Sequence, residues 1–102
     1  MTTPPSSPGN YAFVPKLAEL RDSMLFGDIW ERPELSKRDR SLITCAVLTA
    51  LYRTEELKGH LQRAVNNGVT KEELSEMITH VTFYAGWPTG VNASRVATEV
   101  LS

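Results

Sequence analysis

The chain has 102 residues, of which 41% are hydrophobic, 23% charged and 8% aromatic, and its formal net charge is -1. That length supports one hydrophobic core rather than two, and 11 basic residues against 12 acidic ones leave no positive excess for neutralising nucleic-acid phosphates. The single cysteine, Cys45, excludes an internal disulfide and a cysteine-built metal cage, and no apolar run approaches the roughly 20 residues that span a bilayer.

Residues 1–10, MTTPPSSPGN, offer almost nothing to bury and predict a flexible tail, leaving residues 11–102 as the folded domain. The same residues lack the basic and apolar regions of a signal peptide, so a cytoplasmic location is expected. A first helix is predicted over 14–28, with Val14, Leu17, Leu20, Met24 and Leu25 on one face and Pro15 in its first turn. Pro33 breaks the pattern by disfavouring helix at Arg32. Ser36 then caps a second helix, with Asp39 in its first turn, running to about Tyr52. Thr54 is read as the cap of a third helix, with Glu55 and Glu56 following and Gly68 as its left-handed stop. Thr70 and Glu73 form a capping box that opens a fourth helix through Ala85. Gly86 ends it, and Pro88 suits the first turn of a fifth helix running to Leu101. No run alternates as a strand would. The expected fold is all-α, a compact bundle of about five helices.

The second helix is apolar on nearly every side. Leu42, Ile43, Ala46, Val47, Ala50 and Leu51 make one stripe, and Cys45, Leu48 and Tyr52 occupy another. A helix of this kind must be covered nearly all round, and so short a chain can hardly do that alone. An obligate homo-oligomer is therefore expected, the alternative being a monomeric bundle with this helix at its centre.

Few titratable side chains fall in helical context. Glu56 and His60, four apart, share one face of the third helix, where the carboxylate can orient the imidazole and raise its pKa. Such a pair can move protons as general acid and base; it is also a common surface pairing. His80 precedes Phe83, Tyr84 and Trp87 on the fourth helix, with Glu76 one turn earlier. That grouping suits either an apolar pocket wall with one polar handle or a histidine partly buried in an aromatic core. Of the basic residues around the second helix, Lys37 and Arg38 read as solvated charge, whereas Arg40 adjoins the apolar face and could clamp a carboxylate. Cys45, among apolar neighbours, reads as an inert packed thiol. Two histidines 20 positions apart have no ligand spacing, so no metal is expected, and no phosphate-binding loop is present.

The run Phe26-Gly27-Asp28-Ile29-Trp30-Glu31-Arg32-Pro33-Glu34-Leu35, then Arg38-Asp39-Arg40-Ser41-Leu42-Ile43-Thr44, resembles the central signature of the carboxymuconolactone decarboxylase family. The resemblance continues through Glu55-Glu56-Leu57-Lys58-Gly59-His60, Ala64-Val65-Asn66-Asn67-Gly68-Val69-Thr70, Ile78-Thr79-His80 and Tyr84-Ala85-Gly86-Trp87-Pro88. It implies an all-α, alkylhydroperoxidase D-like fold assembled as a homo-oligomer, a trimer or hexamer. It also implies cofactor-independent decarboxylation of a small carboxylated lactone in aromatic-compound degradation, the β-ketoadipate pathway. Loss of carbon dioxide leaves a carbanion that an unsaturated lactone can delocalise onto its own carbonyl oxygen. The protein need only bind carboxylates, stabilise the oxyanion and deliver a proton. On that resemblance Glu56, His60 and His80 would handle protons, Arg40 would meet the carboxylate or oxyanion, and Trp30, Tyr84 and Trp87 would contact the substrate. No cofactor, nucleic acid or membrane partner is expected.

The peroxidase branch of this superfamily carries Cys-x-x-Cys four residues before a histidine. Here those positions read Arg53-Thr54-Glu55-Glu56, with His60 retained and Cys45 outside the motif. A peroxide-reducing protein is thus an alternative without its thiol pair, and a non-catalytic oligomeric small-acid-binding module is another. The leading segment is shorter than in typical pathway decarboxylases, and Trp87 stands where many carry a smaller residue, which would change the acid that fits.

Overall fold

The computed structural model describes residues 8–102, and every regular element in it is helical. Two compact units follow one another along the chain, the first ending at Lys37 and the second spanning Arg38–Ser102. Residues 1–7 of the expected tail lie outside the described residues, and the next residues enter a 3-10 turn, Pro8–Tyr11. Among the described residues no helix is long and apolar enough to cross a membrane.

In the first unit the helix expected over 14–28 is shorter and changes its winding. An α-helix, α1 (Pro15–Leu20), passes directly into a π-helical turn, Arg21–Leu25, closed by the Phe26 amide donating to the Arg21 carbonyl at 2.9 Å. One extra residue in that turn rotates the following side chains out of the 3.6-residue period. The predicted apolar face is therefore not continuous, and Val14, Leu17, Met24 and Leu25 are all exposed. A second 3-10 turn, Ile29–Glu31, carries the buried Trp30.

The second unit contains most of α2 (Lys37–Ala50), and all of α3 (Thr54–Asn66), α4 (Lys71–Ala85) and α5 (Trp87–Leu101). Local chemistry sets most boundaries. The capping box is present as predicted: the Glu73 amide donates to Thr70 Oγ1 at 3.0 Å, and the Thr70 amide donates to Glu73 Oε1 at 2.9 Å. Gly68, at φ 101, closes α3 in a Schellman motif, with Val69 N donating to Ala64 O and Gly68 N to Val65 O. The same motif closes α2, but with Tyr52 in the left-handed position (φ 61); Arg53 N donates to Leu48 O and Tyr52 N to Thr49 O. Tyr52 thus turns the chain rather than extending the helix. Arg53, not Thr54, is the N-cap of α3, and it makes no side-chain cap bond.

Leu57, Leu61 and Ala64 of α3, Leu74, Met77 and Ile78 of α4, and Ala93 and Val96 of α5 form the core, together with Val69 and Cys45. From α2 the fully covered side chains are small: Ser41, Cys45 and Thr49, spaced four apart. On its other side Ile43, Val47 and Leu51 are 51%, 48% and 56% exposed. The chain alone therefore does not surround α2, which is covered on one side and open on the other. Arg38, expected as solvated charge, pairs with Glu73 and ties the start of α2 to the start of α4, while Lys37 pairs with Glu31 at 2.9 Å.

Candidate active site

Helices α2 and α3 are linked at both ends. The Schellman turn at Tyr52 joins them at one end, and Asn67 Nδ2 donates to Ser41 Oγ at 2.9 Å at the other. Along α3, Glu56, His60, Arg63 and Asn67 fall on one face by their spacing. His60 is half-buried, and its Nδ1 is buried without a hydrogen-bond partner among the described residues. Burial and the positive charge of Arg63 hold the imidazole below its ordinary pKa, against a weaker upward pull from Glu56. Glu56 pulls the pKa up as expected, but burial and Arg63 outweigh it and the net shift is downward. Glu56 is exposed, so water screens it, whereas desolvation acts on the ring directly. A neutral imidazole follows, donor at one nitrogen and acceptor at the other.

Sequence reasoning passed over Arg63. Burial holds its guanidinium below its ordinary pKa. Its spacing was the available signal: three residues after His60 and seven after Glu56, next to the core residue Ala64.

The other predicted residues lie elsewhere. His80 is exposed, not a core histidine, and stacks on Tyr84 with ring centroids 4.8 Å apart and planes at 31°. Phe83 and Trp87 meet edge to face at 6.3 Å and 84°, and they are 76% and 68% exposed. An open groove of about 560 Å³ runs between α4 and α5, lined by Ile78, Thr82, Phe83, Trp87 and Val91 among others. Trp87 borders it; Glu56, His60, His80, Tyr84 and Arg40 do not. Arg40 is half-buried near the start of α2, where its carbonyl accepts from Thr44 Oγ1 at 2.8 Å. Trp30 belongs to the first unit and is 6% exposed, with its ring 5.8 Å from that of Phe26. The structure thus brings Glu56, His60 and Arg63 together as one group and His80 with Tyr84 as another. No three His, Cys, Asp or Glu side chains among the described residues gather as metal ligands.

Cys45 is a free thiol, 0% exposed, and burial pushes its pKa up to about 12. A thiol that stays protonated and sealed from solvent is not a nucleophile.

These features define an all-α scaffold that presents a half-buried imidazole beside a guanidinium and carries no thiol pair. The chain belongs to the carboxymuconolactone decarboxylase family, whose model matches residues 15–99. It is 51% identical over 75 residues, 74% of its length, to the 4-carboxymuconolactone decarboxylase of Acinetobacter baylyi. Over 84 residues, 82% of its length, it is 33% identical to the nitrosuccinic acid decarboxylase of Metarhizium robertsii. The chain spans 56% of the length of the first relative and 59% of the second.

Proposed function

We propose that this protein is a cofactor-independent decarboxylase of a small acid bearing an electron-accepting group, with His60 as the proton-handling residue. The observation that carries the reading is the imidazole itself: half-buried, shifted toward its neutral form, and flanked by Arg63. Both relatives described above are named as decarboxylases, which supports the same class of reaction.

In the step proposed, the bond from the substrate carbon to its carboxylate breaks, carbon dioxide leaves, and the electron pair passes into the adjacent acceptor. For 4-carboxymuconolactone that acceptor is the lactone carbonyl through its double bond. His60 takes a proton from solvent on its free ring nitrogen, passing through the imidazolium, and gives that same proton to the carbon, so the imidazole ends neutral as it began. Arg63 offsets the negative charge of a bound carboxylate or developing oxyanion, and Glu56 favours the imidazolium that forms in passing. Arg40, His80, Tyr84, Trp87 and Trp30 are assigned a place at the site by family resemblance; in an assembly of several chains they can be supplied by neighbouring copies. The exposed Ile43, Val47 and Leu51 stripe and the exposed Phe83, Tyr84 and Trp87 favour such an assembly, a trimer or hexamer. A cytoplasmic location completes the reading.

Incubation of the purified protein with 4-carboxymuconolactone, and separately with nitrosuccinate, followed by carbon dioxide release, tests this. Turnover that His60→Gln removes is expected. Absence of turnover with both acids, or turnover untouched by His60→Gln, overturns it. Thiol-dependent peroxide consumption abolished by Cys45→Ser would favour the peroxide-reducing alternative, and stoichiometric binding of an acid recovered unchanged would favour a binding module.

A further inference from the structure

Two apolar surfaces of the second unit stand open on a single copy of the chain. One is a ridge on α2: Ile43, Val47 and Leu51, four residues apart, are each about half exposed. Residues 41–52 carry no charged side chain, whereas a solvated helix face normally does. The other is the groove of about 560 Å³ between α4 and α5. Ser75, Thr79, Gly90 and Ser94 give it a floor of small side chains, with Phe83 toward one end and Lys71 at the other. Lys71 is the single charged side chain of that lining among the described residues.

The two surfaces match in spacing, size and charge. A row of side chains four apart is the shape that enters a groove between helices, and the α4 wall repeats the same spacing at Lys71, Ser75, Thr79 and Phe83. Lay an α2 parallel to α4 with Val47 level with Thr79. Ile43 then comes level with Ser75 and Leu51 with Phe83, so branched aliphatic side chains meet small ones and a leucine meets a ring. The same register sets Asp39 level with Lys71 and Arg40 level with Glu72, two opposite-charge pairs at one end. Lys71 and Glu72 are exposed, and Asp39 and Arg40 partly so, with Asp39 also paired to Arg38 at 2.9 Å. From Asp39 to Leu51, as from Lys71 to Phe83, is twelve residues, about 18 Å of helix. The α2 of the same chain does not fill the groove, since none of its residues lines it.

We propose that the α4–α5 groove seats α2 of a second copy of this chain, the Ile43, Val47 and Leu51 ridge entering it in this parallel register. Ridge and groove are different surfaces, so the contact is head-to-tail. Each copy gives its ridge to one neighbour and its groove to another, and repetition closes a ring. This rests on the assembly part of the reading above and names the two faces that meet; it does not depend on the chemistry at His60.

Sedimentation of the intact chain tests it. Val47→Glu puts a charge on the ridge and Thr79→Glu puts one of the same sign in the groove, so the altered faces do not attract each other. Both positions are exposed, and an unchanged helical circular dichroism spectrum shows that each variant folds. Ser94→Glu, on the α5 side of the groove and also exposed, replaces Thr79→Glu if the latter loses helix. Each variant alone is expected as a smaller species than the parent, its contact weakened about a hundredfold or more by an unpaired charge. An equal mixture of the two should form a species larger than either alone, because an intact ridge then meets an intact groove. Lys71→Glu should weaken the contact by about threefold to tenfold, and adding Asp39→Lys to it should restore the parent's affinity; no recovery overturns the parallel register. A Thr79→Glu variant that assembles like the parent, or a mixture no larger than its components, overturns the proposal and leaves assembly through another face. A parent that is monomeric at every concentration overturns both. An assembled parent that passes these tests without turning over either acid sinks the decarboxylase and keeps the contact.

Discussion

Gly59 and Gly90 both lie within long helices, and replacing each with alanine is expected to move stability in opposite directions. In either position alanine brings about 0.5–1 kcal/mol of helix propensity. A Cβ at Gly59 meets nothing within 4 Å, so the full gain should appear. At Gly90 the same Cβ falls on Thr82 Oγ1, with Thr82 Cβ at 2.9 Å and Cγ2 at 3.1 Å. Thr82 cannot easily swing away, because its hydroxyl donates to the Ile78 carbonyl at 2.7 Å and its backbone is held in α4. Overpacking of this kind costs about 1–3 kcal/mol, and losing the Thr82 bond adds about 1 kcal/mol. The net effect of Gly90→Ala is a loss of about 1–3 kcal/mol against the propensity gain. Urea unfolding followed by circular dichroism, at one fixed protein concentration so that assembly does not vary, measures both. Adding Thr82→Ala to Gly90→Ala removes the Oγ1 and Cγ2 contacts but keeps the Cβ at 2.9 Å, so it should recover part of the loss, with a coupling energy of about 0.5–1 kcal/mol. If Gly90→Ala proves as stable as Gly59→Ala, the close approach of α4 and α5 at Thr82 is wrong.

Cys45 should resist a thiol-specific reagent in native buffer and react at the rate of an ordinary thiol only in denaturant; rapid native labelling would contradict its burial and its raised pKa. Thr70→Ala removes both the side-chain acceptor and the reciprocal geometry of the capping box, and a loss of about 0.5–2 kcal/mol in urea unfolding is expected. His60 is held below its ordinary value of 6.5 in the fold, so the unfolded chain takes up the proton first as pH falls. Its contribution to stability is complete above 6.5 and is lost as pH drops from there toward the lowered native value. Urea midpoints across that window should decline less in His60→Gln than in the parent; an equal decline would refute the shift.

The features legible in the sequence are those settled between near neighbours in the chain. Thr70 with Glu73, Gly68, Gly86 and Pro88 each act within a few residues, and each falls where expected. The π-helical turn at Arg21–Leu25 was not legible, because the apolar positions fit an ordinary helix until one extra residue is wound in. Tyr52 was hidden for a related reason: no glycine or asparagine marks the left-handed position, so the apolar period runs past the true end of α2. At the site, the spacing of Glu56 and His60 identified the pair, whereas the sign of the His60 shift depends on desolvation and on Arg63, which spacing does not weigh. Thr49 was absorbed into an apolar helix, and only the missing partner of its hydroxyl sets it apart.

The least legible feature was which side of α2 turns inward, and it bears most directly on function. Counting apolar residues favours Ile43, Val47 and Leu51 against the core; instead Ser41, Cys45 and Thr49 are covered and the larger side chains face water. Judged as an isolated domain this is unfavourable twice over, since apolar area stays in water at about 25 cal/mol per Å² and a threonine hydroxyl is buried without a partner. The first cost falls away if the outward stripe packs against another copy of the chain. Replacing Val47 with a charged residue should then weaken assembly while leaving the fold of α3 and the low pKa of His60 in place.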